Sequence, residues 1–396
     1  MGGRKQMTWI CDSLLVLLFL MSVKICGRPN LIVLIWSAAF EGYLLLTRKK
    51  LGIDIKFVLL SLCMVLHTFI YNRLVSELST IRMLELALLP PLFYLLGKQL
   101  VWYPQESNIS IRRVHMIIAA ILIGQFLLSI LNLYTYFKSP SYPYRIWSDF
   151  WKGETIYATQ YSFFAIIWVS LLFYALWILH KRRLLGLGLL SGILVINVFN
   201  ILNGNRMHLG VMIVVFAFCT AFFCLQNRKN TRLFMTIILS AVFVLAVFLI
   251  TIGFNIGNIR EIPYIERFLR LATNERIGIY KDALRQMPVY LWGGGKMDLG
   301  RFAHAHNMWL QMYNDSGIIT FILMCLFTIL SVGDHVRLLI SKHVETELKY
   351  IVPPVCLGLG LYLSFELGGR AIPDYIVFFT FFAGMAAQIA ECSKNG

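Results

Sequence analysis

Long runs of apolar residues, separated by short polar segments, recur along almost the whole chain. Most runs are about 17 to 25 residues long, which is the length of helix needed to cross the hydrocarbon core of a bilayer. The pattern predicts twelve membrane-spanning helices in a single transmembrane domain over residues 1–396. The predicted spans are 8–26, 30–47, 57–72, 81–101, 114–137, 160–179, 184–203, 207–226, 233–253, 308–332, 349–365 and 371–390.

The distribution of basic residues between these spans predicts their orientation, because Lys and Arg are enriched in cytoplasmic loops. If the N-terminus is cytoplasmic, every second loop carries a basic cluster on the cytoplasmic side. These clusters lie at 48–50, 112–113, 181–183 and 228–232. The opposite loops are short and carry almost no clustered charge; they lie near 27–30, 73–80, 203–206 and 366–370. An even number of spans then places the C-terminus in the cytoplasm as well.

Two segments on the predicted outer side are longer than ordinary turns, and long loops are often functional. Residues 138–159 form the first outer loop, which is rich in aromatic residues and proline and contains Arg145. Residues 254–307 form the second outer loop. It carries eight basic residues against five acidic ones, which is the opposite of the charge expected on the outer side. We therefore expect this loop to bind an anion.

The second outer loop is predicted to be partly helical. The spacing of its apolar residues predicts two short helices, over 263–272 and 274–287. The run of three glycines that begins at Gly293 breaks any helix and lacks the Gly-Lys-Ser/Thr sequence of a phosphate-binding loop, so it predicts a tight turn. The candidate anion ligands from this loop include Arg267, Arg270 and Lys296.

The composition is typical of a membrane protein and excludes several classes of function. Only 14% of the residues are charged and 58% are hydrophobic, whereas soluble domains carry about 25% charged residues. The net charge of +16 arises mostly from short basic clusters between apolar runs. Nucleic-acid binding needs a basic face on a soluble domain, so no nucleic-acid partner is expected. The eight cysteines are scattered, which excludes a disulfide scaffold.

Two residues at the outer ends of predicted spans are candidates for catalysis or for binding an anion. His306 lies where the second outer loop enters a span, and histidine can accept or donate a proton near neutral pH. Arg206 lies at the outer junction of two spans, and a guanidinium binds phosphate oxygens bidentately. The alternatives are structural: a histidine hydrogen-bonded at the interface, and an arginine that marks the membrane edge.

Arg276 is a third candidate, because it opens the second predicted loop helix. Free backbone amides at a helix start attract an anion, although a solvated surface arginine is the ordinary interpretation of any one loop cation. The sequence contains no paired-aspartate motif, no His-Glu-x-x-His and no cysteine pair with zinc spacing. We therefore expect chemistry without a metal or another cofactor.

These sequence features together resemble those of the O-antigen ligase/polymerase superfamily of bacterial envelope glycosyltransferases. His306 and Asn307 are followed after nine residues by Gly317 and after two more by Thr320. This sequence resembles the ligase signature, which is His, a small amide or hydroxyl residue, nine positions, Gly, two positions, and then Gly, Thr or Tyr.

Two other segments carry the resemblance. The segment NGNRMHLG, with Arg206, resembles the family's arginine after a short Ser/Thr/Asn-Gly stretch. The segment NERIGIYKDAL, with Arg276, resembles the family's arginine-led loop helix. The resemblance covers roughly residues 190–330, and the first half of the chain matches mainly in hydropathy and in the first outer loop.

The resemblance implies an all-α, GT-C-like membrane fold of about twelve helices with a partly helical outer loop. Enzymes of this family take a glycan from undecaprenyl diphosphate at the outer face of the bacterial inner membrane, without a nucleotide sugar or a metal. By resemblance, Arg206 and Arg276 bind the diphosphate leaving group and His306 activates or orients the acceptor hydroxyl. The residues expected to bind substrate are Asn307, Arg145, Arg267, Arg270 and Lys296.

The acceptor distinguishes two activities within this family. A ligase passes the glycan to lipid A core, whereas a polymerase passes it to another lipid-linked repeat. The signature at His306 favours a ligase. The two long outer loops, and the ten residues between Arg267 and Gly278, favour an O-antigen or capsule polymerase, which is the first expectation. Membrane lipids and a chain-length regulator or flippase are the other expected partners.

A flippase or another transporter is the alternative from a different class, and a structural or assembly role is a further one. Transporters usually place charged residues at mid-membrane and contain internal repeats. This chain shows no repeat and few charged residues within its spans, and Asp12, Glu41, Glu85 and Asp374 all lie towards span ends. The sequence therefore favours an enzyme that acts at the outer face.

Overall fold

The computed structural model describes residues 2–24, 29–48, 52–102, 111–138, 146–203, 205, 207–226, 275–300, 304–365 and 372–393. Within these ranges the chain is a bundle of apolar helices with one short β-hairpin. The helices are α1 (Gly2–Ser22), α2 (Pro29–Arg48), α3 (Ile55–Leu74), α4 (Thr80–Trp102), α5 (Ile111–Lys138), α6 (Ala158–Ser170), α7 (Leu172–Leu179), α8 (Arg183–Leu202), α9 (Met207–Gln226), α10 (Glu275–Gln286), α11 (Met308–Ile340), α12 (Thr346–Phe365) and α13 (Ile372–Cys392). The antiparallel strands are β1 (Ile146–Ser148) and β2 (Thr155–Tyr157).

Seven of the described helices are long and apolar enough to cross a membrane, namely α3, α4, α5, α8, α9, α11 and α12. Shorter apolar stretches lie in α1, α2 and α13. The predicted polytopic, helical membrane protein is therefore confirmed. Eleven of the twelve predicted spans overlap a described helix, and the remaining span, 233–253, lies outside the described residues. A total of twelve crossings stays a prediction.

Two predicted spans differ in detail from the helices that the structure contains. The span predicted at 160–179 consists of two helices, α6 and α7, which are separated at Leu171. The span predicted at 308–332 is longer, since α11 continues to Ile340, and its backbone is not helical at Gly317. Hydropathy detects both segments but cannot detect the interruptions, because the residues at these points are as apolar or as small as their neighbours.

The first outer loop, 138–159, contains the hairpin of β1 and β2, which the sequence analysis did not predict. The Asp149 side chain accepts a hydrogen bond from the Trp151 backbone N–H (2.8 Å) and shapes the turn between the strands. The Trp151 indole donates to the Val23 carbonyl (2.9 Å) just beyond α1. Strands of three residues are too short to produce a visible alternation of polar and apolar positions.

Contacts between the ends of helices show which segments lie at the same end of the bundle. At the end that carries His306, the Asn307 amide at the start of α11 donates to the Ser364 carbonyl in the last turn of α12 (3.2 Å). At the opposite end, Lys98 in α4 lies 2.9 Å from Asp54, which precedes α3. Segments that the basic clusters predict on one side of the membrane thus meet at one end of the bundle.

Glycines allow α4 and α13 to pack with their backbones in contact. A Cβ atom on Gly384 would lie 2.0 Å from the Tyr94 carbonyl oxygen, and one on Gly97 would lie 2.0 Å from the Phe381 carbonyl oxygen. Small residues at helix interfaces permit this close approach in membrane proteins. The two helices therefore form a fixed pair inside the bundle.

Ion pairs at the opposite end connect α3 to α4 and α11. The buried Lys98 ammonium donates to the Gly52 carbonyl (2.8 Å) and to the Asp54 carboxylate (2.9 Å). Lys56, in the first turn of α3, forms an ion pair with Asp334 of α11. Since Lys98 and Lys56 each have a carboxylate partner, these pairs fix where the three helices meet.

The Asp54 carboxylate is held in its charged form by the groups around it. Burial on its own raises the pKa of Asp54, but the hydrogen bond and charge of Lys98 oppose it, together with the Phe57 backbone N–H and the Tyr94 hydroxyl. These groups outweigh burial, so the pKa of Asp54 lies below its usual value. The Phe57 contact (2.9 Å) also makes Asp54 the N-cap of α3.

We predict that Asp54→Asn lowers the melting temperature at neutral pH and that this difference disappears in acid. The folded-state pKa lies below the unfolded value of about 3.9. The stabilisation is therefore fully present above that value and is lost as the pH falls through the folded-state pKa. Thermal unfolding of the purified protein between pH 7 and pH 3 measures this, with the exposed Asp282→Asn as the control. A difference that stays constant down to pH 3 would contradict it.

Candidate functional site

The helix α11 is interrupted at Gly317, where φ is 82° and ψ is −171°. This backbone conformation is accessible almost only to glycine. The space beside it is also closed, because a Cβ atom there would lie 2.5 Å from the Leu291 carbonyl oxygen and 2.7 Å from the Trp292 carbonyl carbon. The interruption falls within the predicted span 308–332, where non-helical backbone is tolerated only if protein or a water-filled cavity surrounds it.

The turn Gly293–Gly295 packs against this interruption and supplies hydrogen bonds to it. The Gly294 N–H donates to the Asp315 carbonyl (3.0 Å), and the Ile318 N–H donates to the Leu291 carbonyl (2.9 Å). The three glycines have φ values of 73°, 90° and 68°, so the predicted tight turn is confirmed. The turn satisfies backbone groups that a continuous helix would have satisfied itself.

Three residues of the His-Asn-x9-Gly-x2-Thr sequence shape the start and the interruption of α11. Asn307 is the N-cap, since its side-chain oxygen accepts from the Leu310 N–H (3.1 Å) while its amide donates to the Ser364 carbonyl (3.2 Å). The Thr320 hydroxyl donates to the Gly317 carbonyl (2.9 Å), just beyond the interruption. Asn307, which we predicted to bind substrate, therefore has a structural role.

His306 lies immediately before this N-cap, in a left-handed backbone conformation with φ of 49°. Residues other than glycine seldom adopt this region, and they often do so at functional sites. The side chain is half-buried. The His306 carbonyl oxygen lies 3.1 Å from the Tyr280 hydroxyl, and the Ser364 carbonyl oxygen lies 2.9 Å from the same hydroxyl. The backbone of His306 is thus connected to both α10 and α12.

The helix α10 confirms the helix predicted at 274–287, and it brings the Arg276 segment to the His306 end. The structure describes only the backbone of Arg276, which lies one helical turn before Tyr280. On its inner face, the buried Ile279 and Ala283 side chains pack beside Tyr313 of α11. This small apolar cluster positions α10 against the first half of α11.

The structure describes only one of the other predicted site residues. Arg145, Arg206, Arg267 and Arg270 lie outside the described residues, as does the helix predicted at 263–272. Lys296 follows the glycine turn and its side chain is exposed. The structure therefore brings together His306, Asn307 and the helix that carries Arg276, and it leaves the remaining cations as predictions.

A buried polar group near His306 was missed by the sequence analysis. The Asp315 side chain is 3% exposed and accepts a hydrogen bond from the Gln311 amide (2.8 Å). The Gln311 side-chain oxygen in turn accepts from the Ala305 N–H (2.8 Å), next to His306. The signal was present in the sequence, because a carboxylate inside a membrane span is costly and is usually functional.

A second missed residue is His67 of α3, which is fully buried. Its Nδ1 atom lies 2.5 Å from the Ser316 hydroxyl, next to the interruption of α11. This contact fixes α3 against the broken helix. A single histidine in a predicted span gives no indication of its partner, because that partner is 249 residues away along the chain.

Comparison with models of known protein families and with curated proteins gives no match for this chain. Among the described residues, no group of three or more His, Cys, Asp or Glu side chains is arranged to hold a metal ion. The function therefore has to be inferred from the site. This arrangement places a histidine, which can transfer a proton, and a helix whose second residue is Arg276 at the start of a broken membrane helix.

Proposed function

We propose that the protein is a metal-independent membrane glycosyltransferase that moves a glycan from undecaprenyl diphosphate to an acceptor hydroxyl. The observation that carries the proposal is the connection between His306 and α10 through the Tyr280 hydroxyl (3.1 Å). It brings a side chain that can accept a proton to the same end of the bundle as the helix on which Arg276 lies. Both residues are ones that the family resemblance assigns to catalysis.

In the proposed reaction, the acceptor hydroxyl oxygen attacks the anomeric carbon of the donor sugar, and the bond from that carbon to the diphosphate oxygen breaks. His306 accepts the hydroxyl proton, and undecaprenyl diphosphate leaves with the electron pair of the broken bond. Arg206 and Arg276 stabilise the negative charge that develops on the diphosphate, which is usually the largest contribution to such catalysis. The remaining proposed substrate ligands are Arg145, Arg267, Arg270 and Lys296, whereas Asn307 caps α11.

We also propose a fold, a membrane orientation and a specific activity for this glycosyltransferase. We propose a GT-C-like arrangement of twelve spans in the bacterial inner membrane, with both termini in the cytoplasm and the His306 end on the outer side. The first candidate activity is polymerisation of O-antigen or capsule repeats, which two long outer loops favour. Ligation to lipid A core is the second, favoured by the signature at His306. A chain-length regulator or a flippase is the proposed protein partner.

Purified protein reconstituted in liposomes tests the proposed activity. Lipid-linked repeat units extracted from cells serve as substrate, and the products are separated by size. A transferase produces longer glycans and one undecaprenyl diphosphate for each bond formed, and a metal chelator leaves this rate unchanged. A transporter would move the lipid-linked repeat across the membrane without cleaving it. Recovery of the repeat with its diphosphate intact would therefore contradict the proposal.

We expect Tyr280→Phe to lower the transfer rate by about two- to tenfold, which corresponds to the loss of one neutral hydrogen bond. The phenylalanine ring retains the packing but cannot connect the His306 and Ser364 carbonyls. Tyr290→Phe is the control, since Tyr290 is half-buried just beyond α10. Rates measured at equal protein concentration test the connection, and a Tyr280→Phe protein as fast as wild type would show that it does not matter.

A further inference from the structure

Exposed apolar side chains cover the segment that joins α10 to the glycine turn. Val289 and Trp292 are 71% and 73% exposed, and Leu291 is 42% exposed. The whole range 286–295, here termed the uncharged segment, contains no charged residue. Large apolar groups that are exposed side by side usually mark a surface that binds a partner. The uncharged segment therefore presents an apolar surface that water does not suit.

The lipid-facing surfaces of α3 and α11 lead to this segment. Both helices are long and apolar enough to cross a membrane. On α11, exposed apolar residues recur at helical spacing, and they are Ile319, Ile322, Leu326, Ile329, Val336 and Ile340. On α3, the corresponding residues are Ile55, Val58, Leu62, Val65, Phe69 and Leu74. The two stripes are about 32 and 28 Å long at 1.5 Å per residue, which matches the thickness of the hydrocarbon core, about 30 Å.

The uncharged segment is attached where both stripes end. The Leu291 carbonyl accepts from the Ile318 N–H (2.9 Å), directly before the first exposed residue of the α11 stripe. On the other side, a Cβ atom on Gly294 would lie 3.8 Å from the Leu74 Cβ atom, at the last residue of α3. The ion pair between the first turn of α3 and the second half of α11 lies at the opposite end of both stripes. The segment is therefore level with one boundary of the hydrocarbon core.

Basic residues bound the uncharged segment on both sides. Arg285 and Lys296 are the nearest charged residues before and after it, and both are exposed. The acidic Asp282 and Asp298 lie further along the chain in each direction. Tryptophan is enriched at the membrane interface, because its ring is apolar and its N–H is polar. Long basic side chains extend from the same depth to the lipid headgroups. This order of basic and apolar residues suits the interface of a bilayer.

We propose that the uncharged segment is a docking surface for the phospholipid bilayer at the His306 end of the protein. Val289, Leu291 and Trp292 contact the acyl chains next to the headgroups, and Arg285 contacts lipid phosphate groups. The docking explains why large apolar side chains are exposed in a segment that is not a membrane-spanning helix. It also gives the glycine turn a fixed depth in the membrane. The proposal does not depend on the proposed function.

Tryptophan fluorescence in phosphatidylcholine liposomes tests this docking. The emission of Trp292 is the difference between the wild-type protein and Trp292→Phe. We expect lipids brominated on the acyl chains near the headgroup to lower this emission about twofold or more, since an interfacial indole contacts those chains. Iodide dissolved in the water should lower it much less. Trp168, which is buried in the bundle, is the control, and the emission lost in Trp168→Phe should respond to neither quencher.

Three results would overturn the proposal. Quenching of Trp292 by iodide and not by brominated lipid would place the segment in water. Quenching by neither would show that another part of the protein covers it. Quenching by brominated lipid that appears only when the protein is diluted in lipid would identify the cover as a second copy of this chain. If Trp292→Phe does not fold, Val289→Trp is measured instead, and brominated lipid should quench the emission that it adds.

Discussion

Replacing His306 with alanine is expected to lower the rate of glycan transfer by about 100- to 10,000-fold, the usual contribution of a general base. The protein should remain folded, because the carbonyl that contacts Tyr280 belongs to the backbone and is retained. His306→Asn is the more informative variant. Asparagine tolerates the left-handed backbone (φ 49°) found at this position, yet its amide cannot accept a proton.

The matched control for this prediction is His304→Ala. His304 lies two residues earlier in the same segment and is also half-buried, but the proposal gives it no role in catalysis. Rates are measured with the liposome assay at equal protein concentration. If His306→Asn is folded and transfers glycan within threefold of the wild-type rate, His306 is not the base. If both histidine variants lose activity equally, the whole segment matters, and not the His306 ring.

Gly317→Ala is expected to have the largest effect on stability. An alanine at φ of 82° and ψ of −171° is strained by about 1 to 3 kcal/mol. Its Cβ atom would also lie 2.5 Å from the Leu291 carbonyl oxygen, which is closer than real Cβ atoms approach their neighbours. The segment that contains Leu291 and Trp292 would have to move away from α11. We expect a total cost of about 3 kcal/mol or more, with most of the folded protein lost from the membrane.

Gly333→Ala is the control for this substitution, because Gly333 lies in the same helix and a Cβ atom there meets nothing within 4 Å. Replacing an unconstrained helical glycine with alanine stabilises a helix by about 0.5 to 1 kcal/mol. Melting temperature and the yield of monodisperse protein measure both variants. The account of the broken helix would be wrong if Gly317→Ala melted at the wild-type temperature.

The helices were the most predictable part of this fold. Each apolar run has the length of a membrane-spanning helix, so segments such as α5 and α9 follow from the composition of the run alone. The interruption at Gly317 does not, because it depends on the glycine turn, which lies more than twenty residues earlier and docks from another segment. Long-range contacts of this kind leave no local pattern of polar and apolar residues.

The residues of the candidate site were also predicted only in part. The sequence singled out His306 and Asn307, but it could not show that Asn307 is the N-cap of α11, because a cap and a substrate ligand require the same residue type. It also missed Asp315 and His67, whose partners are known only once helices are packed. Charged and polar residues inside predicted spans were the signal that should have been given more weight.

The most direct test of the central claim is complementation in two bacterial hosts, one without its O-antigen polymerase and one without its O-antigen ligase. Both supply the matching repeat unit, and wild type and His306→Ala are compared at equal membrane levels. The account predicts long lipopolysaccharide ladders in the polymerase-deficient host with wild type, and their loss with His306→Ala. Attachment to lipid A core in the other host would instead assign ligase activity. Ladders that persist with His306→Ala, or no rescue of either host by wild type, would contradict the account.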